Sequence, residues 1–309
     1  MASLPRAADA HYRAQQRLAA TAVATGRRIW SLLNPDAIDR SWQTVGPRLT
    51  TLVTTAQQRA AQDGATYVPT VLAEQGIDPA MVGRVTVDAF AGVSGSGVPV
   101  STLISGARAR TLALIGTGTA PQRALDAGRG LLDGIIATQI ADANRGATGV
   151  ALVASPNAHG YTRMLNPPSC SRCAVLAGKF FQWNAGFQRH PRCDCRHIPT
   201  TENRAGDLTT NTDAYFRSLT AADQDRIFTT VGAQAIRDGA DIGQVVNARR
   251  GMTAAGTTFE GTTRHGYAGR RLRGEPRLMP ERIYEIADGN RDAALELLRR
   301  HGYLASPRP

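Results

Sequence analysis

Cysteine is scarce and confined: the 309 residues hold four, at positions 170, 173, 193 and 195. A disulfide framework spread along the chain is therefore excluded. Lysine is scarcer, Lys179 standing alone beside 35 arginines. The glycine-rich Gly92–Gly97 (GVSGSG) lacks the Gly-Lys-Ser/Thr ending of a phosphate loop and follows no clear strand, so it reads as a turn between helices. Long apolar runs are missing too. The longest uncharged stretch, between Asp88 and Arg108, carries four glycines and a proline, which rules it out as a bilayer span. No His-Glu-x-x-His and no Gly-x-Ser-x-Gly occurs, which removes the common zinc-protease and serine-hydrolase signatures. No basic-then-apolar leader opens the sequence, and the expectation is a protein made and kept in a reducing cytoplasm.

What is present suits a globular protein. Apolar residues make up 42% and aromatics 6%, enough for one large domain or two to three small ones. The formal net charge is +11, and it is local. Residues 1–60 hold eight basic against three acidic groups, 161–200 six against one, and 241–309 twelve against eight. Such patches attract nucleic acid or an acidic protein surface through a salt-sensitive, sequence-blind field. Nothing reads bases, since neither a His-x3-His zinc finger nor an RNA-binding aromatic motif is present.

The chemistry-bearing feature is Cys170-Ser-Arg-Cys173 followed by His190-Pro-Arg-Cys193-Asp-Cys195-Arg-His197. Short spacers let one turn present two soft donors to one ion, as a tetrahedral zinc site requires. If 193–197 is extended, Cys193, Cys195 and His197 share a face. The first-choice ligands are Cys170, Cys173, Cys193 and Cys195. His190 is the substitute, its geometry biased by Pro191, and His197 is expected in an outer or surface position. Inert core thiols, two disulfides or a reactive cysteine are the alternatives.

Along the chain, Arg6 to Leu33 reads as a helix ended by Asn34-Pro35. A second helix starts at Pro35 and runs toward Gln62 with a kink or break at Pro47. Val68–Gln75 and Pro79–Ala91 read as further short helices, and Val98 to Arg145 is helical, with Pro121 in the first turn of a helix through Gln139 and Asn144. After Arg145 the pattern changes. Val150–Ala154, Tyr161–Leu165, Lys179–Trp183 and Cys193–Ile198 read as short strands of a module whose small core a metal would supplement. Thr220 with Asp223 caps a helix to Asp238 stopped by Gly239, and a second helix spans Asp241–Arg249. Residues 249–277, with seven arginines and six glycines, read as a flexible basic connector. Helices at Pro280–Ala287 and, capped by Asn290, at Arg291–Arg300 close the pattern, with Leu295, Leu297 and Leu298 as a docking face and Gly302 as stop.

The expected class is thus α+β: a mainly helical N-terminal half, a small mixed zinc-knot-like module with short strands, and a helical C-terminal part. The expected boundaries are a helical scaffold (1–148), the cysteine/histidine module (149–205), a helical pair (206–248), the basic connector (249–279) and C-terminal helices (280–309). Arg249, Arg250, Arg270, Arg271 and Arg273 are the expected contacts to nucleic acid or a partner.

At Cys170-Ser-Arg-Cys-Ala-Val-Leu-Ala-Gly178, with Gly186-Phe187-Gln-Arg-His190-Pro-Arg-Cys193-Asp-Cys195-Arg-His197, the chain resembles the MuF-like minor head proteins, the tailed-phage head morphogenesis family named for protein F of phage Mu. The likeness covers roughly residues 159–199. The helical first half and Gly232–Gly251 are similar to versions from phages of actinobacteria, some labelled capsid maturation proteases. The resemblance implies a low-copy protein of the procapsid interior near the portal, made in the host cytoplasm and assisting assembly and DNA packaging or ejection. Carried over, the motif falls on Cys170, Cys173, His190, Cys193 and Cys195. Implied partners are portal and other capsid proteins, with packaged DNA met by non-specific charge and no membrane. The leading expectation is a non-enzymatic structural protein with a structural zinc. The alternative is a capsid maturation protease using a Cys/His pair.

Overall fold

The computed structural model describes residues 4–165, 169–184, 196–208, 211–263, 266 and 268–304. Four long helices come first: α1 (Arg6–Trp30), α2 (Ile38–Glu74), α3 (Val100–Gly116) and α4 (Pro121–Val153). Then follow β1 (Gly160–Met164), α5 (Ser171–Leu176), β2 (Phe180–Gln182), β3 (Arg196–Thr200), α6 (Glu202–Ala205), α7 (Thr212–Ser218), α8 (Ala221–Phe228), α9 (Thr230–Arg237) and α10 (Ile242–Ala248). The chain closes with β4 (Thr257–Thr258), α11 (Gly269–Leu272), β5 (Arg277–Leu278), α12 (Pro280–Ala287) and α13 (Arg291–Arg300). The class is α+β with a helical first half. Among the described residues no helix is long and apolar enough to cross a membrane. The chain divides into two compact units, one of Ala2–Met164 with Lys179–Leu208, the other of Leu165–Gly178 with Thr209–Pro309.

The first unit is a helical bundle with a small sheet. Its longest element, α2, passes through Pro47 and Pro69 without ending, where the sequence suggested a kink or break at Pro47, an end toward Gln62 and a separate helix at Val68–Gln75. Each proline removes one N–H donor. The buried stripe Val45, Leu49, Val53, Ala60, Val68, Val71 and Leu72 outweighs that loss, because each large apolar side chain fully buried contributes ~1.5–3 kcal/mol. Close helix approach depends on glycine. A Cβ on Gly64 would lie 2.6 Å from the Asn144 carbonyl, and one on Gly128 would lie 2.0 Å from Thr111 Oγ1. Val150–Ala154, expected as a strand, is instead the last turn of α4 and its cap. Ala151 and Leu152 continue the inward stripe of Ala147 and Thr148 while Val150 and Val153 face outward, so the apolar run was helical in period. Pro79–Ala91 forms only a 3-10 turn over Val87–Phe90 with none of its residues buried.

The sheet has order β2-β1-β3 and is antiparallel throughout, pairing Tyr161 with Phe181 and Thr162 with Ile198. All five residues of β3 are buried. Tyr67 Oη donates to the His197 carbonyl at 3.0 Å, and Gln75 Nε2 to that of Pro199 at 2.8 Å, fastening β3 to the end of α2. Pro199 sits in an edge strand, where a missing N–H is tolerated.

In the second unit, short helices surround Phe216, Phe228, Ile236, Val245, Met279, Ile283, Leu298 and Tyr303. The helix expected from Thr220 to Asp238 is two, α8 and α9. Thr229 adopts φ +68° at the junction, its Oγ1 accepting from the Gly232 N–H at 3.2 Å and from Arg249 at 2.6 Å. The stretch 249–279, expected as flexible, carries a 3-10 turn, the β4–β5 ribbon and α11 where it is described. Arg277 within it is 1% exposed. Its guanidinium donates to the carbonyls of His301 and Glu260 and to Gln244, and it lies 4.3 Å from the centre of the Tyr303 ring. An arginine so provided with acceptors belongs to a core rather than a linker.

Candidate metal centre

The Cys-x-x-Cys motif opens α5. Cys170 is the N-cap, in extended geometry, its Sγ accepting from the Cys173 N–H at 3.5 Å. A sulfur in the capping role turns the side chain of position 170 back over the first helical turn, where position 173 also projects. The two sulfurs consequently lie 3.4 Å apart. That separation far exceeds a disulfide bond of about 2.05 Å. It is close to the ~3.8 Å edge of a tetrahedron built with zinc–sulfur bonds of about 2.3 Å. Cys173 is buried and Cys170 half-buried. The spacing and burial of this pair fit two corners of a tetrahedral thiolate site.

The surroundings hold the turn rigidly. Tyr215 Oη accepts from the Ser169 N–H at 3.0 Å and donates to the Ser169 carbonyl at 3.1 Å. Thr212 Oγ1 donates to the Ala174 carbonyl at 3.2 Å, and Ala174 and Val175 are buried in the unit's core. Burial, ahead of the other influences, raises the Tyr215 phenol's pKa, so the hydroxyl stays protonated and available to both backbone groups.

His190, Cys193 and Cys195 lie outside the described residues. Among the described residues no set of three or more His, Cys, Asp or Glu side chains gathers as a metal site. His197, expected in an outer or surface position, is 9% exposed in β3 with its ring stacked on Tyr161 at 4.0 Å; the surface placement is thereby corrected.

Of the expected partner-binding arginines, Arg249 pairs with Glu281, Arg250 Nε lies 3.6 Å from Glu260, and Arg271 donates to the Arg299 carbonyl at 3.1 Å. Arg273 is exposed, in left-handed conformation at the end of α11. Arg270 lies in α11, its side chain outside the described set.

The sequence reading missed a buried polar cluster in the first unit. His11 stacks on Tyr67 with ring centres 4.1 Å apart, and its Nε2 lies 3.2 Å from Asn144 Oδ1. Burial, opposed by the Asn144 hydrogen bond, lowers the His11 pKa to about 4, so the ring is neutral near pH 7. Asn144 Nδ2 donates to the Ala60 carbonyl at 2.9 Å, and Arg145 and Arg196 line the same space. Residues 11, 67, 144 and 196 are too dispersed for any motif to connect them.

No curated protein and no solved structure matches the chain. The model of one family, described as VG15 protein, matches residues 3–222, a span holding the four long helices, the sheet and the Cys-x-x-Cys turn. The chain therefore belongs to the VG15 protein family, a family of phage gene products.

Proposed function

We propose that this phage protein is a minor head protein of the MuF-like kind, with a structural and interaction role at the portal during procapsid assembly and DNA packaging or ejection. Its place is the procapsid interior, after synthesis in the host cytoplasm. Cys170, Cys173, Cys193 and Cys195 hold one structural zinc, His190 being the substitute donor. The ion would add a cross-link to the short segments of this module. The observation that carries this reading is the 3.4 Å sulfur pair on one capped helical turn, in a chain whose family is of phage origin. The basic stretch of Arg249, Arg250, Arg270, Arg271 and Arg273 supplies charge toward acidic partners.

The test is metal analysis of purified protein, with about one zinc per chain expected. Cys173→Ser is expected to lose the metal and to open residues 160–200 to limited proteolysis. Metal-free protein with unchanged protease resistance overturns the zinc reading. Thiol labelling with and without a chelator separates it from a Cys/His protease. Protection that vanishes on chelation supports coordination, whereas one hyper-reactive thiol in both states supports the enzyme. For the head assignment, the protein is expected to co-purify with portal assemblies; its absence from procapsids made in infected cells overturns that part.

A further inference from the structure

Charge in the first unit differs by end. Toward the end where α2 finishes, four helical arginines have carboxylate partners, Arg6 with Glu74, Arg13 with Asp9, Arg59 with Asp63 and Arg145 with Asp142, while the exposed Arg17 and Arg204 have none among the described residues. The opposite end is built around Trp30. Trp30 Nε1 donates to the Leu125 carbonyl at 3.1 Å, its ring meets Trp42 edge-on with centres 6.1 Å apart, and Arg108 of α3 pairs with Asp39 of α2. All four helices therefore converge there.

Arg28, Arg40, Arg110 and Arg123 each stand two residues from a member of that junction: Trp30, Trp42, Arg108 and Leu125 respectively. Two residues turn a helix by about 200°, so a side chain two places from an inward one points outward, and all four are exposed. Arg48 of α2 is exposed as well. Among the described residues no carboxylate lies within ion-pair distance of any of the five. Residues 24–50 and 104–133 together carry eight arginines against four aspartates, and of the aspartates only Asp36 lacks a guanidinium partner.

We infer that this end of the bundle is a phosphate-binding collar for double-stranded DNA. Guanidiniums distributed over four helices, directed outward and largely free of competing acids, match a continuous polyanion more closely than a flat protein patch. A patch of that kind would put an apolar centre inside a polar rim, whereas here each of the four helices presents an exposed arginine and the exposed apolar side chains Leu32 and Leu131 are few. The fixed guanidinium fork also suits phosphate oxygens. The assignment deepens the proposed head role, and rests on it only for which polyanion the protein meets.

The experiment is a salt titration of binding to a short fluorescent blunt duplex, using full-length protein and the variant Arg28→Gln, Arg40→Gln, Arg110→Gln and Arg123→Gln. If two of these groups engage phosphates at once, affinity at 0.1 M salt falls roughly 60-fold and the slope of log K against log salt shrinks by about 2. A second variant, Arg226→Gln with Arg282→Gln, removes exposed arginines that already face Asp223 and Glu285 and is expected to change binding far less. Unchanged affinity and slope in the collar variant, with its thermal unfolding unaltered, overturn the inference. So does a loss confined to the second variant, or tighter and equally sensitive binding of poly-glutamate. Zinc content and portal capture are read separately, so the collar can fail while the head assignment stands.

Discussion

The two units begin their helices in different ways. None of the four long helices α1 to α4 has a side-chain N-cap hydrogen bond. In the second unit α5, α7, α8, α9, α10 and α13 are each capped locally, by Cys170, Asn211, Thr220, Thr229, Asp241 and Asn290. The physical reason is length. A helix of seven or eight residues leaves a large share of its N–H groups without intrahelical acceptors, and it is too short to persist alone. A helix of 25 to 37 residues, like α1 and α2, spreads the same end cost over a long buried stripe. Where α1 does need acceptors it takes them from a distance. The Glu74 carboxylate accepts the N–H groups of both Arg6 and Ala7 at 2.7 Å, and these bonds, the one from Ala7 foremost, lower its pKa. The bundle is held by distant partners, and the second unit relies far more on neighbours in sequence.

Breaking the bundle should therefore take a packing change. Leu49→Ala removes a side chain with 0% exposure and is expected to cost about 2–5 kcal/mol in denaturant unfolding; a loss below ~1 kcal/mol would contradict packing as the source of stability. Acid probes the same balance in both units. His11 and His301 each have a pKa lowered to about 4 from an ordinary 6.5, chiefly by burial. The unfolded chain then binds more protons between those values. Their contribution is whole above pH 6.5 and drains away as pH falls toward 4, by up to about 3 kcal/mol for His11. Replacing His11 with Gln should flatten that part of the stability–pH curve. Gly128→Ala, which sets a methyl against Thr111 and Trp30, is expected to cost about 1–3 kcal/mol, seen as a lowered Tm. The smallest effect sharpens the contrast: Asn290→Ala removes the cap bond to the Ala293 N–H and should cost about 1 kcal/mol in denaturant unfolding, whereas α1 to α4 have no such cap bond to remove.

The same contrast explains what could be read beforehand. Pro280 and Asn290 placed α12 and α13 at their observed starts, and Pro121 did so for α4, because these signals act within one turn. The failures lie where distant contacts decide. Pro47 looked like a break, yet α2 continues across it. Val150–Ala154 looked like a strand because a short apolar run has no period until its partners are known. Thr229 was read as mid-helix, and its positive φ comes with acceptance from Arg249, twenty positions on. Of the candidate metal centre, the Cys170–Cys173 half was legible from its spacing; His190, Cys193 and Cys195 lie outside the described residues. The His11–Tyr67–Asn144 cluster had no local signature.

By itself the sequence determined the α+β class, the starts of α4, α12 and α13 and the pairing of two thiols on one turn, since caps, prolines and a two-residue spacer exert their force over a few ångströms of chain. Only the tertiary structure decided that α2 runs unbroken, that Arg277 belongs to a core and that five arginines at one end of the bundle have no carboxylate partner among the described residues. Those outcomes turn on which residues distant in sequence supply buried surface, acceptors or counter-charges.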